Sequence, residues 1–68
     1  MKKGRYVVKK IWNYPPKDKT YISYDVYFED DSGWEFIAEF IYQIDAVKFK
    51  KLKNAELEEK GLYNWNLK

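Results

Sequence analysis

The stretch that most constrains this chain is Thr20 to Gly33, TYISYDVYFEDDSG. Ile22, Tyr24, Val26 and Phe28 alternate with Tyr21, Ser23, Asp25 and Tyr27, giving one apolar face and one polar face that carries two rings. Such alternation marks a β-strand buried on one side. Asp30-Asp31-Ser32-Gly33 then supplies turn formers, and Gly33 can take a positive φ at no steric cost.

Upstream, Arg5 to Tyr14 (RYVVKKIWNY) is β-branched and aromatic, which also predicts a strand. Its two faces are Tyr6, Val8, Lys10, Trp12, Tyr14 and Arg5, Val7, Lys9, Ile11, Asn13. Neither is cleanly apolar, so periodicity leaves open which one looks inward. Pro15-Pro16 ends the strand: the second proline holds the first extended, and neither donates to a ladder.

Downstream of the turn two templates compete. As a third strand, Trp34, Phe36, Ala38, Phe40 and Tyr42 line one face, and Glu35 and Glu39 share the other. As a long helix, Ser32 and Glu35 match the S-x-x-E capping box, with Ile37, Phe40, Ile41 and Ile44 at helical spacing. The rings favour the strand because aromatic side chains lose freedom against a preceding helical turn. Asp45 is the expected N-cap of a helix over 46–60, with Gly61 at the C′ position and Leu62 after it. Val47, Phe49, Leu52, Ala55 (or Glu56) and Leu57 form its imperfect apolar side, although Val47-Lys48-Phe49-Lys50 also reads as a short strand. Leu62 to Lys68 is too apolar for a free end and is expected to fold back extended, with Tyr63, Trp65 and Leu67 on one side.

The expected fold is therefore α+β: a three-stranded antiparallel β-meander over 5–14, 20–29 and 34–43, one C-terminal helix packed across it, and an extended C-terminal tail. At 68 residues the chain is expected to form a single small domain, near the size below which cores need a staple. Cysteine and histidine are both absent, which removes disulfides, thiolate nucleophiles, imidazole bases and ordinary zinc sites. Three Trp, seven Tyr and four Phe offer burial in their place, at ~150–250 Å² per ring.

Function classes narrow accordingly. Glu35 and Glu39 on one strand face would stand ~13 Å apart at ~3.3 Å per residue, beyond the ~5–9.5 Å of glycosidase carboxylates. No G-x-S-x-G surrounds Ser23 or Ser32, no glycine-rich phosphate loop exists, and Phe28 occupies what would be the first ligand position of an EF-hand loop. Neither catalysis nor any cofactor or metal is expected. No apolar run reaches membrane-spanning or signal-peptide length, so a soluble cytoplasmic protein is expected.

Charge is segregated: residues 1–19 carry a net +6, residues 20–45 a net −7 and residues 46–68 a net +3. A basic first strand beside an acidic second one pairs opposite charges across the ladder. The basic block also interleaves lysines with rings: Lys9, Lys10, Trp12, Tyr14, Lys17, Lys19 and Tyr21. That combination suits single-stranded nucleic acid, with bases stacked on Trp12, Tyr14 and Tyr21 and phosphates neutralised by the lysines. A non-catalytic binding module is thus expected. Its alternative target is a protein, including a second copy paired through an edge strand beginning at Thr20 or Trp34. Ser23-Tyr24-Asp25-Val26 followed by Asp30-Asp31-Ser32-Gly33 resembles, over a short match, phage-encoded inhibitors of uracil-DNA glycosylase, which implies a phage-type inhibitor of a DNA-binding enzyme. The overall charge balance here is opposite to theirs, and no family is assigned from it. Three strands followed by a helix is also similar in layout to small single-strand DNA-binding coactivators, without a shared motif.

Overall fold

The structure, a computed structural model, describes residues 3–13 and 20–64. Three strands, β1 (Gly4–Asn13), β2 (Tyr21–Asp30) and β3 (Gly33–Phe40), form one antiparallel sheet in the order β1-β2-β3, followed by a single helix, α1 (Gln43–Glu59). The α+β meander expected from the sequence is the observed architecture. The strand from residue 21 is central, so it offers no edge; β1 and β3 do.

The β2–β3 turn is short because its first residue closes it. The Asp30 carboxylate accepts from the Ser32 N–H (2.8 Å) and the Ser32 hydroxyl (2.7 Å), and the positive φ falls on Gly33 (131°). Asp30 and Gly33 are paired across this two-residue loop.

Register answers the question that β1 left open. Tyr6, Val8, Lys10 and Trp12 stand opposite Phe28, Val26, Tyr24 and Ile22, the apolar set of β2, so these residues share the helix side. Phe49 of α1 is keyed between the outer strands, 6.5 Å from the Tyr6 ring and 5.4 Å from Phe40, while Tyr6 meets Phe28 at 5.1 Å. Beneath this chain of rings lie Val26, Ala46 and Leu57, the buried hydrophobic residues among those described. The core is thin, as expected of so short a chain.

The helix departs from expectation at its start and in its orientation. It begins at Gln43, with Tyr42 at the N-cap in extended backbone and no side-chain cap; Asp45 instead lies in the first turn, where its charge complements the helix dipole. The covered stripe runs through Ala46, Phe49, Lys50, Lys53 and Leu57, at helical spacing, with lysine stems supplying part of the apolar contact. Leu52 is 61% exposed and Ala55 is also exposed. Hydrophobicity alone assigned them inward; Leu52 is turned about a third of a turn from the stripe's centre at ~100° per residue.

The C-terminus of α1 ends as the glycine predicts. Gly61 takes φ +69°, its N–H donates to the Glu58 carbonyl (3.1 Å), and the Leu62 N–H donates to the Leu57 carbonyl (2.8 Å). This Schellman arrangement turns the chain back toward β1. Leu62 accepts from the Gly4 N–H and Asn64 donates to the Gly4 carbonyl, both at 2.9 Å, so the described part of the tail runs parallel beside β1. Trp65 and Leu67 lie outside the described residues.

Candidate binding surface

On the side of the sheet away from α1, three rows take one residue from each strand. Lys9, Asp25 and Glu39 form one row; Val7, Tyr27 and Phe36 the next; Arg5, Glu29 and Trp34 the third. Two kinds of chemistry occupy this side. Along the central strand it is polar and sheltered. Ser23, Asp25 and Glu29 are all buried, flanked on the neighbouring strands by longer side chains. Each has a partner: Asn13 Nδ2 donates to Ser23 Oγ (3.0 Å), Ser23 Oγ donates to Asp25 Oδ1 (2.9 Å), and Arg5 Nε donates to Glu29 Oε1 (2.9 Å). Buried polar groups are tolerated on these terms.

Along β3 it is aromatic and open. Trp34 and Phe36 pack on Tyr27, with ring centroids 6.1 and 5.8 Å away, yet remain 55% and 54% exposed. Lys9 reaches across so that its Nζ lies 3.3 Å from the Trp34 ring centroid. A cation at that distance holds the indole in place.

These two rings were expected in the core, on one face with Ala38 and Phe40. The structure divides that set. The ladder slips by one residue between Val26 and Tyr27, so Tyr27 pairs with Phe36 but Val26 pairs with Ala38, leaving Ile37 as a β-bulge. Ala38 and Phe40 face the helix; Trp34 and Phe36 face away from it. Glu35 and Glu39, expected on one face, are separated for the same reason: Glu35 stands opposite Phe28 and Glu39 opposite Asp25.

The signal that locates these rings is the turn. A two-residue loop closed by Asp30 and Gly33 pairs even-numbered residues of β2 with odd-numbered residues of β3. The even-numbered apolar sets of the two strands can share a side only after a one-residue slip. Everything between the turn and the slip, namely Trp34 and Phe36, is left on the other side.

The lysine-and-ring segment is also divided. Lys9 and Tyr21 lie on the helix-free side, Tyr21 opposite Asn13 and 42% exposed. Lys10 and Trp12 lie on the helix side, with Lys10 Nζ 5.8 Å from the Trp12 ring, which is 55% exposed. Tyr14, Lys17 and Lys19 lie outside the described residues.

Two recesses flank the β2–β3 turn. One, of ≈ 130 Å³, is lined by Phe28, Asp30, Ser32, Gly33, Trp34 and Glu35. The other, of ≈ 390 Å³, is lined by Lys3, Asp30, Asp31 and Ser32. Among the described residues no group of three or more metal-ligating side chains is positioned to hold an ion, and no helix is long and apolar enough to cross a membrane. No family model, curated protein or solved structure matches this chain.

Proposed function

We propose that this chain is a non-catalytic binding module whose working surface is the helix-free side of the sheet and whose partner is a protein. The observation that carries this is the state of Trp34 and Phe36: packed on Tyr27, with the Lys9 ammonium on the Trp34 ring, and still more than half exposed. Rings already packed against neighbours at a surface have less freedom to lose on binding, and tryptophan and tyrosine are among the side chains most often found at the energetic centre of interfaces.

The charge on this side favours a protein over a phosphate backbone. Arg5 is engaged by Glu29 and Lys9 lies on Trp34, while Asp25 and Glu39 add negative charge to the same surface. A polyanion would meet repulsion that a protein surface need not.

Affinity capture from an extract of cells expressing the protein tests this, with the native chain as one bait and Trp34→Ser with Phe36→Ser as the other. Proteins retained by the first and lost from the second support the assignment. Equal retention by both baits overturns it.

Single-stranded nucleic acid has one observation in its favour, the exposed Trp12 with Lys10 beside it. Titration with a short oligonucleotide at low and high salt reads it directly. Tryptophan quenching that is lost with Lys9→Glu and Lys10→Glu, and that weakens steeply with salt, would move the function to the basic segment.

A further inference from the structure

At the end of the sheet nearest the β2–β3 turn the two edges are finished differently. On β1, the backbone groups of Gly4 and Tyr6 point away from β2 and are taken up within the chain. Gly4 pairs with Leu62 and Asn64, and the Asn54 side chain closes on Tyr6, accepting from its N–H at 2.8 Å and donating to its carbonyl at 3.1 Å. Hydrogen bonding alternates along an antiparallel ladder. Because Tyr6 turns its groups outward, Phe28 opposite it turns its own toward β3. Glu35, opposite Phe28, is therefore bonded inward, and Trp34 and Phe36 present their N–H and C=O groups outward. None of the described residues pairs with them. An unpaired edge of this kind is a template for another strand.

Charge selects what can add there. β3 carries Glu35 and Glu39 and no cation, and the turn before it carries Asp31; all three are exposed. The recess at the start of β3 is lined by the rings of Phe28 and Trp34 together with Glu35, a combination that suits the stem and head of a lysine or arginine. Trp34 already accepts one ammonium on its ring.

A second copy fits poorly. The bulge at Ile37 leaves Gly33–Phe36 as the regular stretch of this edge. Antiparallel pairing of that stretch with itself, using the outward groups of both Trp34 and Phe36, sets Glu35 opposite Glu35. Like charges directly opposed across a ladder are destabilising.

We propose that the β3 edge accepts an extended basic segment of a partner protein as a fourth strand. This rests on the protein-binding assignment above and specifies its mode. Trp34 and Phe36 supply backbone hydrogen bonds, and Glu35, between them on the helix side, selects lysine or arginine. Neighbouring side chains of the added strand lie on the exposed rings.

The probe is an acetylated and amidated octapeptide alternating valine with lysine, followed by amide chemical shifts and hydrogen exchange of the full chain. Slowed exchange at the Trp34 and Phe36 amides is expected, with no effect from the matching valine–glutamate peptide. N-methylation of the valines, which removes strand hydrogen bonds and leaves the charge, is expected to weaken binding about tenfold or more. Glu35→Lys is expected to reverse the preference between the two peptides. Equal binding of the N-methylated peptide, or no change at Trp34 and Phe36 at millimolar peptide, overturns strand addition. So does protection of those amides in a free protein that sediments as a dimer, or protection by an oligonucleotide instead. If the peptide fails while capture still depends on the two rings, the helix-free surface stands and only the edge mode falls. If both fail, the protein-binding assignment falls with it.

Discussion

The two sides of this sheet draw on the same stock of aromatic residues for opposite ends. On the helix side Tyr6, Phe28, Phe40 and Phe49 touch one another over Val26, and the fold rests on their contact. On the other side Trp34, Phe36 and Tyr27 also touch, but apart from the Lys9 ammonium on Trp34 no second layer among the described residues covers the first two. What is buried on that side is polar and hydrogen-bonded. Ring content therefore does not identify a core. A ring belongs to the core when a second layer lies over it, and the layer is α1.

The largest effect should come from the ring that joins the layers. Phe49→Ala is expected to cost about 3 kcal/mol in urea unfolding, out of roughly 3–10 kcal/mol available to a chain this size. Should Trp34→Ala cost as much, the distinction between the two sides is wrong.

Arg5→Met should come next, at about 2 kcal/mol, because it leaves the buried Glu29 carboxylate unpaired. Adding Glu29→Gln should recover much of the loss, since the amide carries no charge. Failure to recover would mean that Arg5 contributes by packing.

Asn54→Ala, which strips the edge of β1, is expected to cost about 1–2 kcal/mol and to speed hydrogen exchange at the Tyr6 amide. Unchanged exchange there would show that the side chain is not a seal. Trp34→Ser with Phe36→Ser should lower stability by only about 1 kcal/mol, the scale of cross-strand pairs on an exposed face.

The smallest effect is expected where a strand is ordinarily least tolerant. Deleting Ile37 removes the bulge but keeps Phe36 opposite Tyr27 and Ala38 opposite Val26, so every side chain stays on its side. A loss of about 1 kcal/mol or less is expected, together with greater self-association through a straightened edge. Unfolding on deletion would show that the bulge itself is required.

Much of the fold was legible. The alternation from Ile22 to Phe28 marked the central strand, Asp30 to Gly33 marked the turn, and Gly61 with Leu62 marked the end of the helix. The candidate surface was not. Trp34, Phe36, Ala38 and Phe40 form a faultless period-two series, and a faultless series conceals a slip. Leu52 was misassigned because a helix presents whichever stripe its neighbours leave room for, and here that stripe includes Lys50, Lys53 and Asn54.

Residue chemistry fixed what acts over a few bonds: where strands alternate, where Gly33 and Gly61 allow positive φ, and which catalytic groups are missing. Which rings become core and which become surface was decided in three dimensions. The two-residue turn sets the pairing of β2 with β3, the helix covers one side of the sheet, and only beyond the bulge do the apolar residues of β3 come beneath it. Sidedness is a relation between elements, so no single strand's sequence carries it.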